Sequence, residues 1–507
     1  MTKKIYQAYY TESDEILELM TSSLEIKKND LVLEPCFGGG AFIDKLLEYN
    51  ESIILEGYEL NIEAFNSGKY KYQNIKNIHL FNTNILEDSR IYSLESNGYF
   101  DKIIGNPPYG GWLDLSVRKN FKKIYPFLHT KETYILFLYK MMNLLKENGK
   151  LSFIIPDTFL NLHMHTGFRE KLWKNFKVDN LILFPSKFFP KVNYGYSNMC
   201  IINITKVSNE IENFKNEVKI FSHLKSPHDF LKIKENNFKH SYSFSQQELY
   251  TNIDHALFLD SDIKFINFIN HYPFRFGDIA DCVTGIYTGN DKAYLRVNSY
   301  DIKNSKNYNL ININEVESNP LKSNNILNGL KTSLNKIEFL KGGGQARYLK
   351  HTDWFIDWSE TAVNEYKTNK KSRFQNSEFY FKEGIGIPMI KSKNTNAFLI
   401  ESRLFDQSII GIFPKNTNYC PYILALLNSP LISKIVNILN PTANNSANYI
   451  KKIPFIEPSI IELQTITNNI NKILELLKTS DNDSLILKLE NINNEIITNI
   501  YKKRYKD

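Results

Sequence analysis

One stretch of the sequence decides the fold of the N-terminal half of the chain: Leu31-Val32-Leu33-Glu34-Pro35-Cys36-Phe37-Gly38-Gly39-Gly40. It begins with an apolar run, which predicts a short buried strand. Three glycines then lead into an apolar segment from Ala41 to Leu47, which predicts a helix. Glycines let the backbone of such a turn approach a ligand without a clash at Cβ. Taken alone, this pattern is equally compatible with a nucleotide-type site and with a plain tight turn.

The same alternation continues from Asp30 to about Lys206. Apolar runs of strand length are separated by segments with helical spacing, such as Thr133 to Leu145. The apolar runs are Leu31–Leu33, Ile53–Leu55, Lys102–Ile104, Leu151–Ile155 and Cys200–Ile204. Buried strands that alternate with helices predict a parallel sheet and an α/β fold.

The length of the chain predicts several domains, because 507 residues are too many for one compact core. We expect a first domain at residues 1–206 and a polar, Lys/Glu/Asn-rich connection at 207–250. A second region at 251–455 has short strands and glycine turns without a clear period. Apolar residues at helical spacing then predict a C-terminal helical hairpin at 456–507.

The charge and the hydropathy limit the classes of partner. The net charge of +7 is mild, and it is compatible with a polyanionic partner without proving one. No stretch is long and apolar enough to span a bilayer, and the start of the chain has no apolar signal region. We therefore expect no membrane partner.

The cysteines and histidines predict neither a disulfide framework nor a metal site. The four cysteines are far apart and form no CxxC pair, which fits a reducing cytoplasm. They are Cys36, Cys200, Cys282 and Cys420. His163 and His165 are close in the sequence but have no third ligand beside them, so we expect no metal.

Three polar residues near the expected strand ends predict the ligand of the glycine turn. Glu59 ends the second strand, where a carboxylate can accept hydrogen bonds from both ribose hydroxyls. Asn84 follows the third strand, where a short side-chain oxygen can meet an adenine amine. Glu34 lies beside the turn, and a carboxylate there suits an ammonium or sulfonium cation better than a pyrophosphate. This set favours S-adenosylmethionine over NAD as the cofactor.

A proline-rich loop, Gly105-Asn106-Pro107-Pro108-Tyr109, follows the strand at Lys102–Ile104. Its two consecutive prolines fix φ and keep the preceding residue extended. Pro107 has no N–H, so its carbonyl can face a ligand without a competing donor, and Asn106 adds a side-chain carbonyl. The loop therefore presents two acceptors spaced to receive one amine, and Tyr109 adds a flat face.

Such a loop suits a planar group that carries an NH₂. An adenine amine is a poor nucleophile because its lone pair is delocalised into the ring. Acceptance of both N–H bonds moves the nitrogen towards tetrahedral geometry and frees the lone pair for in-line attack on a sulfonium methyl, without a covalent enzyme intermediate. In a duplex the base must also be flipped out and stacked on an aromatic side chain.

With these motifs in this order, the sequence resembles the gamma class of DNA adenine-N6 methyltransferases. The resemblance covers roughly residues 5–206, and the stretches Tyr422–Pro430 and Asn440–Pro454 resemble the recognition domains of that class more loosely. It implies a Rossmann-like domain with a mostly parallel seven-stranded sheet that binds S-adenosylmethionine. It also implies an α+β target-recognition domain at 251–455, followed by C-terminal helices.

The resemblance carries over the site residues of the family position by position. The residues that match its cofactor-binding motifs are Tyr10, Thr11, Glu34, Pro35, Cys36, Gly38, Gly40, Glu59, Leu60, Asn84, Ile85 and Asn106. The residues that match its catalytic and base-stacking motifs are Asn106, Pro107, Pro108, Tyr109 and Phe189. Two positions depart from the family pattern: Asn84 stands where Asp is usual, and Glu12 follows Thr11 where Pro is frequent.

The same loop occurs in release-factor glutamine methyltransferases and in some ribosomal RNA guanine methyltransferases. Those proteins are short and usually carry an extra domain before the cofactor motif. Here the motif starts near residue 31, and roughly 300 residues follow the catalytic region. We therefore expect a site-specific DNA adenine methyltransferase. The alternatives are a methyltransferase that acts on RNA or on a protein glutamine, and a non-catalytic DNA-binding module.

Double-stranded DNA is the expected partner of such an enzyme, which would act as a monomer on DNA. Candidate DNA contacts in the region 251–455 are Lys341, Gln345, Arg347, Tyr348 and Asn445. No room for a nuclease precedes Tyr9, so we expect methylation only. A separate cognate restriction endonuclease is a candidate partner, within a restriction-modification or related phage-defence system.

Overall fold

A computed structural model gives the fold of the chain. It describes residues 13–95, 98–110, 113–188, 198–260, 262–342, 344–442, 444–479 and 483–505. The chain divides into two compact units, Met1–Leu257 and Phe258–Asp507. The first boundary thus falls after Leu257 and not after residue 206, where the sequence led us to expect it.

The described part of the first unit is built on a nine-stranded sheet, where the family resemblance implied seven strands. The strand order is β3-β2-β1-β4-β5-β7-β6-β8-β9. The strands are β1 (Leu31–Glu34), β2 (Ile54–Tyr58), β3 (Ile78–Phe81), β4 (Phe100–Gly105), β5 (Leu145–Pro156), β6 (Lys177–Pro185), β7 (Asn198–Thr205), β8 (Glu217–Phe221) and β9 (Ser241–Ser245).

Five neighbouring strands, β3, β2, β1, β4 and β5, run parallel to one another. In the register of this sheet, Leu33 of β1 lies opposite Glu56 of β2 and Ile103 of β4. Gly105 of β4 lies opposite Phe153 of β5. The antiparallel strand β7 lies between β5 and β6. The mostly parallel α/β sheet that the sequence predicts is confirmed.

The helices of the first unit connect these strands and cover the sheet. They are α1 (Asp14–Ser23), α2 (Ala41–Tyr49), α3 (Ile62–Tyr72), α4 (Ser89–Leu94), α5 (Leu115–Ile124), α6 (Thr133–Leu144), α7 (Thr166–Asn175), α8 (Glu210–Lys215), α9 (His228–Lys234) and α10 (Gln246–Thr251). Helix α2 begins directly after the glycine turn and buries Phe42, Ile43 and Leu46. Helix α6 is apolar on nearly every face and is almost wholly buried, as expected of a core helix.

Residues 207–250 are part of the sheet, although their composition led us to expect a connection. They contain α8, β8, α9, β9 and most of α10, and β8 pairs in parallel with β6. In β8, the buried Val218 and Ile220 alternate with Glu217 and Lys219. Half of the side chains of an edge-side strand face solvent, so its average composition is polar and conceals the apolar alternation.

The second unit contains two smaller sheets. A four-stranded antiparallel sheet has the order β10-β18-β15-β16, and a five-stranded mixed sheet has the order β12-β11-β14-β13-β17. Their strands are β10 (Ala280–Thr284), β11 (Leu295–Val297), β12 (Asn309–Leu310), β13 (Lys336–Leu340), β14 (Trp354–Asp357), β15 (Ile385–Pro388), β16 (Phe398–Leu399), β17 (Leu404–Phe405) and β18 (Ile409–Pro414). A core that includes Trp358, Phe339 and Phe405 joins both sheets.

Nine helices complete the described part of this unit. They are α11 (Ile263–His271), α12 (Phe276–Ile279), α13 (Asp291–Tyr294), α14 (Glu360–Thr368), α15 (Cys420–Asn428), α16 (Pro430–Leu439), α17 (Ala447–Ile450), α18 (Ile460–Thr479) and α19 (Asp483–Tyr505). Asn469 of α18 donates a hydrogen bond to Asn493 of α19. In the described ranges no single helix has the length and apolar character of a membrane span. Two successive helical segments, Thr417–Asn428 and Pro430–Leu439, have this length and apolar character only when they are taken together, and the chain is bent between them.

Candidate active site

Four neighbouring parallel strands end in polar residues at one edge of the first unit's sheet. Glu34 ends β1, Glu59 follows β2, Asn106 follows β4 and Asp157 follows β5. The carboxyl ends of parallel strands meet at the same edge, and ligands of such sheets bind there. The predicted cofactor turn and the predicted catalytic loop therefore belong to one site.

The glycine turn after β1 is packed on one side and open on the other. Gly38 and Gly40 have φ values of +52° and +81°, in the left-handed region that favours glycine. A Cβ on Gly40 would lie 2.2 Å from the hydroxyl oxygen of Tyr72, which donates a hydrogen bond to the Gly40 carbonyl. A Cβ on Gly39 would have no atom of the described residues within 4 Å. The open side leaves room for a ligand to approach the backbone.

Glu59 ties the end of β2 to this turn. Its two carboxylate oxygens accept hydrogen bonds from the backbone N–H of Gly38, at 2.9 Å, and of Asn61, at 2.7 Å. Burial raises the pKa of Glu59. The next side chain, Leu60, is 38% exposed and offers an apolar surface beside the carboxylate. The Asn82 side chain donates to the Glu59 carbonyl and fixes this bend.

Glu34 is a buried carboxyl group whose Oε2 atom has no hydrogen-bond partner within the described residues. Burial and the nearby Glu59 and Asp44 raise its pKa well above the usual range. A buried carboxyl of this kind is costly unless a cation or a donor meets it. The arrangement therefore fits a cationic ligand at the turn, as the sequence predicts.

Cys36 and Pro35 contribute packing to the turn. Burial, together with Glu59 and Glu34, raises the pKa of the Cys36 thiol, so Cys36 is not a thiolate nucleophile. The ring of Pro35 lies against β4, because a Cβ on Gly105 would be 3.3 Å from Cδ of Pro35. This contact joins the cofactor turn directly to the residue that precedes the catalytic loop.

The catalytic loop holds its asparagine by an internal hydrogen bond. The Tyr109 hydroxyl donates to Oδ1 of Asn106, and Pro107 and Pro108 are buried between them. Tyr109 is only 1% exposed, whereas the sequence led us to expect a flat face open to a base. A motif specifies which residues are present but not where a ring points, so this hydroxyl contact was not foreseen.

Asn84 and Ile85 follow β3 as predicted, but the Asn84 side chain is engaged locally. Its Oδ1 accepts from the backbone N–H of Leu86, and its Nδ2 donates to Glu87. Ile85 is buried. Tyr10, Thr11 and Phe189 lie outside the described residues.

Asp157 and Thr133 are two residues near the site that the sequence did not single out. Burial raises the pKa of Asp157 to about 6. Thr133 at the start of α6 donates from its hydroxyl to the Gly110 carbonyl, one residue after Tyr109. The signal for Asp157 was an acidic residue two positions after the apolar run Leu151–Ile155. Thr133 has no comparable signal, because its partner is far away in the sequence.

Comparison with known proteins decides the family of the segment that carries this site. Residues 15–189 match the Eco57I restriction-modification methylase family. This segment, which we call the methylase domain, is similar to that family. The predicted relation to restriction-modification methyltransferases is confirmed, and S-adenosylmethionine is the cofactor of the methylase domain.

Three relatives show how far the similarity extends. The type II methyltransferase M.AccI of Acinetobacter calcoaceticus is 27% identical over 56% of this chain and 51% of its own length. M.HincII of Haemophilus influenzae is 31% identical over 40% of this chain and 37% of its own length. The adenine-specific methyltransferase PglX of Lacticaseibacillus casei is 20% identical over 71% of this chain and 30% of its own length. The chain thus spans about half of the length of these curated relatives, or less.

Two solved structures share the fold over most of the chain. The nuclease-deleted Type ISP restriction-modification enzyme LlaGI, bound to a DNA substrate mimic, has a TM-score of 0.57 at 13% identity and covers 94% of this chain and 55% of its own. The DrdV–DNA complex has a TM-score of 0.56 at 11% identity, and the match covers 94% of this chain and 57% of the DrdV chain. Identities this low show the fold alone, and they extend it beyond the methylase domain.

Most of the candidate DNA-contact residues outside the methylase domain form ion pairs or are buried within the second unit. Lys341 forms an ion pair with Asp291 at 2.6 Å, and Arg347 forms one with Glu490 at 3.0 Å. The five candidates are Lys341, Gln345, Arg347, Tyr348 and Asn445; Tyr348 and Asn445 are buried, and Gln345 is exposed. The acidic partners of Lys341 and Arg347 lie 50 and 143 residues away in the sequence, and the role of both residues as DNA contacts stays a prediction.

Gly40→Ala should destabilise the methylase domain, whereas Gly39→Ala should not. The left-handed backbone of Gly40 costs an L-residue about 1–2 kcal/mol, and the new methyl group would also collide with Tyr72. Gly39 is the matched control because its Cβ position is open. Urea unfolding of the two variants and the wild type measures the difference. Equal free energies of unfolding for both variants would contradict this account of the turn.

Asp157→Asn should flatten the pH dependence of stability. Because the pKa of Asp157 is raised from 3.8 to about 6, the folded protein binds a proton there that the unfolded chain releases. This group therefore makes stability fall as the pH rises through that window. We expect the free energy of unfolding of the wild type to decline more steeply across it than that of the variant. Parallel declines in the two proteins would exclude Asp157 as the cause.

Proposed function

We propose that the protein is a site-specific DNA methyltransferase that transfers a methyl group from S-adenosylmethionine to N6 of a flipped adenine. One observation carries the proposal. The Asn106 side-chain oxygen is held by the Tyr109 hydroxyl at the end of β4, directly beside the cofactor turn. The relative PglX is named adenine-specific, and both solved structures with this fold are complexes with DNA or a DNA mimic.

The cofactor site is proposed from the residues at the ends of β1, β2 and β3. When bound, S-adenosylmethionine supplies an electrophilic methyl group on a sulfonium. The buried carboxyl of Glu34 stabilises positive charge at the turn, because its Oε2 atom has no partner among the described residues. Glu59 accepts from the ribose hydroxyls, since each carboxylate oxygen keeps a lone pair after it has accepted one backbone N–H. Leu60, Asn84 and Ile85 border the adenine, and Tyr10 and Thr11 complete the site.

The base site is proposed from the loop Asn106 to Tyr109. An amide oxygen has two lone pairs, so Oδ1 of Asn106 can accept from Tyr109 and from the target amine together. The Tyr109 hydrogen bond thereby fixes the orientation of the Asn106 amide. The Pro107 carbonyl accepts the second N–H of the amine, which frees its lone pair for attack. Phe189 is the proposed stacking partner of the flipped base.

The part of the second unit up to residue 455 is the proposed target-recognition domain, and the hairpin of α18 and α19 follows it within the same unit. Gln345 remains a candidate base or phosphate contact because it is exposed, unlike Tyr348 and Asn445. Double-stranded DNA is the proposed partner, with the protein acting as a cytoplasmic monomer and a separate restriction endonuclease cutting unmodified DNA. Residues 1–206 carry the catalytic site in this proposal, and residues 207–250 complete its sheet.

Asn106→Ala should abolish methyl transfer, and Tyr109→Phe should slow it about tenfold, the value of one hydrogen bond. The alanine variant loses the amine acceptor itself, whereas the phenylalanine variant loses only the hydroxyl that orients it. Single-turnover assays on duplex DNA, with chromatography of the nucleosides, measure the rate and identify the methylated base. Tyr109→Phe should bind S-adenosylmethionine as tightly as the wild type, and Asn106→Ala should still bind it. A wild-type rate for Asn106→Ala would contradict the proposal.

Cofactor binding should release a proton, and the affinity should rise with pH. Glu34 has a raised pKa in the free protein, and a cation beside it stabilises the carboxylate and lowers that pKa. A proton held by the free protein is therefore lost on binding. Calorimetry in buffers of different ionisation enthalpy counts this proton. Glu34→Gln should bind more weakly and release fewer protons; equal proton release by both proteins would contradict the assignment of Glu34.

A further inference from the structure

His165 lies in a buried polar cluster next to the catalytic loop. It is fully buried, and its Nε2 lies 2.9 Å from a carboxylate oxygen of Glu132. Burial lowers the pKa of His165. Burial also acts to raise the pKa of Glu132, but the hydrogen bonds from His165 and Tyr134 lower it overall. The pair is therefore a neutral imidazole that donates from Nε2 to an ionised carboxylate.

This cluster serves neither a metal nor a proton relay. The described residues hold no group of three or more His, Cys, Asp or Glu side chains arranged as metal ligands. Within the part of the chain that the structure describes, Nδ1 of His165 has no hydrogen-bond partner, so no relay continues through the ring there. His163, its neighbour in the sequence, faces Asp254 instead. The buried pair must therefore act through what it holds in place.

Glu132 is the residue that precedes α6, but its side chain does not cap the helix. The carboxylate is turned towards His165, which lies in a short turn before α7. Tyr134, on the other side, places its hydroxyl 2.9 Å from Oγ1 of Thr158, just after β5. The first turn of α6 is thus fixed at residues 132 and 134, by two different segments of the chain.

Thr133 lies between these two fixed residues and reaches the catalytic loop. It is fully buried, and both its hydroxyl and its backbone N–H donate to the carbonyl oxygen of Gly110. Gly110 directly follows Tyr109, whose hydroxyl holds Oδ1 of Asn106. An unbroken series of contacts therefore leads from the buried pair to the proposed amine acceptor.

We propose that Thr133 is a positioning residue for Asn106. In this proposal the Glu132–His165 pair holds the start of α6, and with it Thr133, in the position from which Thr133 bonds Gly110. The proposal rests on the proposed function, in which Oδ1 of Asn106 receives the target amine. A loop that moves by a fraction of an ångström misplaces this oxygen relative to the methyl donor, and the rate of transfer falls. Binding of the cofactor is unaffected, because Glu34 and Glu59 belong to other strands.

The first test compares Thr133→Val with Thr133→Ser. Valine keeps the shape and removes the hydroxyl, whereas serine keeps the hydroxyl. We expect the valine variant to lose about five- to tenfold in single-turnover rate, as for one lost hydrogen bond, with unchanged dissociation constants for S-adenosylmethionine and DNA. The serine variant should recover the wild-type rate within about twofold. A wild-type rate for Thr133→Val, or an equal loss in cofactor affinity, would overturn the proposal.

The second test asks whether the pair and Thr133 act together. His165→Leu removes the donor to Glu132, and His165→Gln restores one. The loss in rate of His165→Leu should not add to that of Thr133→Val in the double variant, since both break one series of contacts. Additive losses would show that His165 acts elsewhere. Should His165→Leu fail to fold, the Thr133 comparison still decides the main claim.

A third measurement does not depend on catalysis. Hydrogen–deuterium exchange of peptides that cover residues 105–110 reports the mobility of the loop. Thr133→Val should exchange faster there than the wild type, and Thr133→Ser should not; equal exchange would overturn the proposal. An inactive wild-type protein would contradict the proposed function alone, and the exchange result would still decide the role of Thr133.

Discussion

The parallel pairing of β2, β1, β4 and β5 is the constraint on which the candidate site depends. It brings Glu34, Glu59, Asn106 and Asp157 to one edge of the sheet, although 123 residues separate the first from the last. The contact between Pro35 and Gly105 then sets how closely the cofactor turn approaches the catalytic loop. Because this contact is made by a rigid ring on a residue without a side chain, the spacing between the cofactor turn and the catalytic loop is fixed by the fold itself.

Helix α6 is the second support, and it reaches both halves of the site. At its start Thr133 holds the carbonyl of Gly110, and two turns later the buried Lys140 donates to the carbonyl of Leu86, at 2.8 Å. Leu86 closes the turn that begins at Asn84, on the cofactor side. A buried lysine is costly unless it is paired, and Glu95 at 3.3 Å provides the opposite charge. One buried helix thus fixes a loop on either side of the reaction.

The sequence predicted those features of the fold that depend on residues close together in the chain. The strand, turn and helix around Gly38 and the loop after β4 were predicted, because hydrophobic periodicity and motifs involve only consecutive residues. Strand β8 was missed because its exposed lysine and glutamate hide the alternation. The ion pairs of Lys341 and Arg347 were not foreseen, because nothing in the sequence shows that the fold brings Asp291 and Glu490 to them. The contact of Thr133 was missed for the same reason, because its partner Gly110 is 23 residues away in the sequence. The burial of the Tyr109 ring was missed because a motif does not show where a ring points.

The central claim is that this edge of the sheet methylates adenine in DNA. Its most direct measurement is the expression of the intact chain in a host that lacks DNA methylation, followed by mapping of modified bases across the genome. The account predicts N6-methyladenine at nearly every copy of one short sequence. Unmodified DNA, modification of cytosine at N4, or methylation confined to RNA or protein would contradict it.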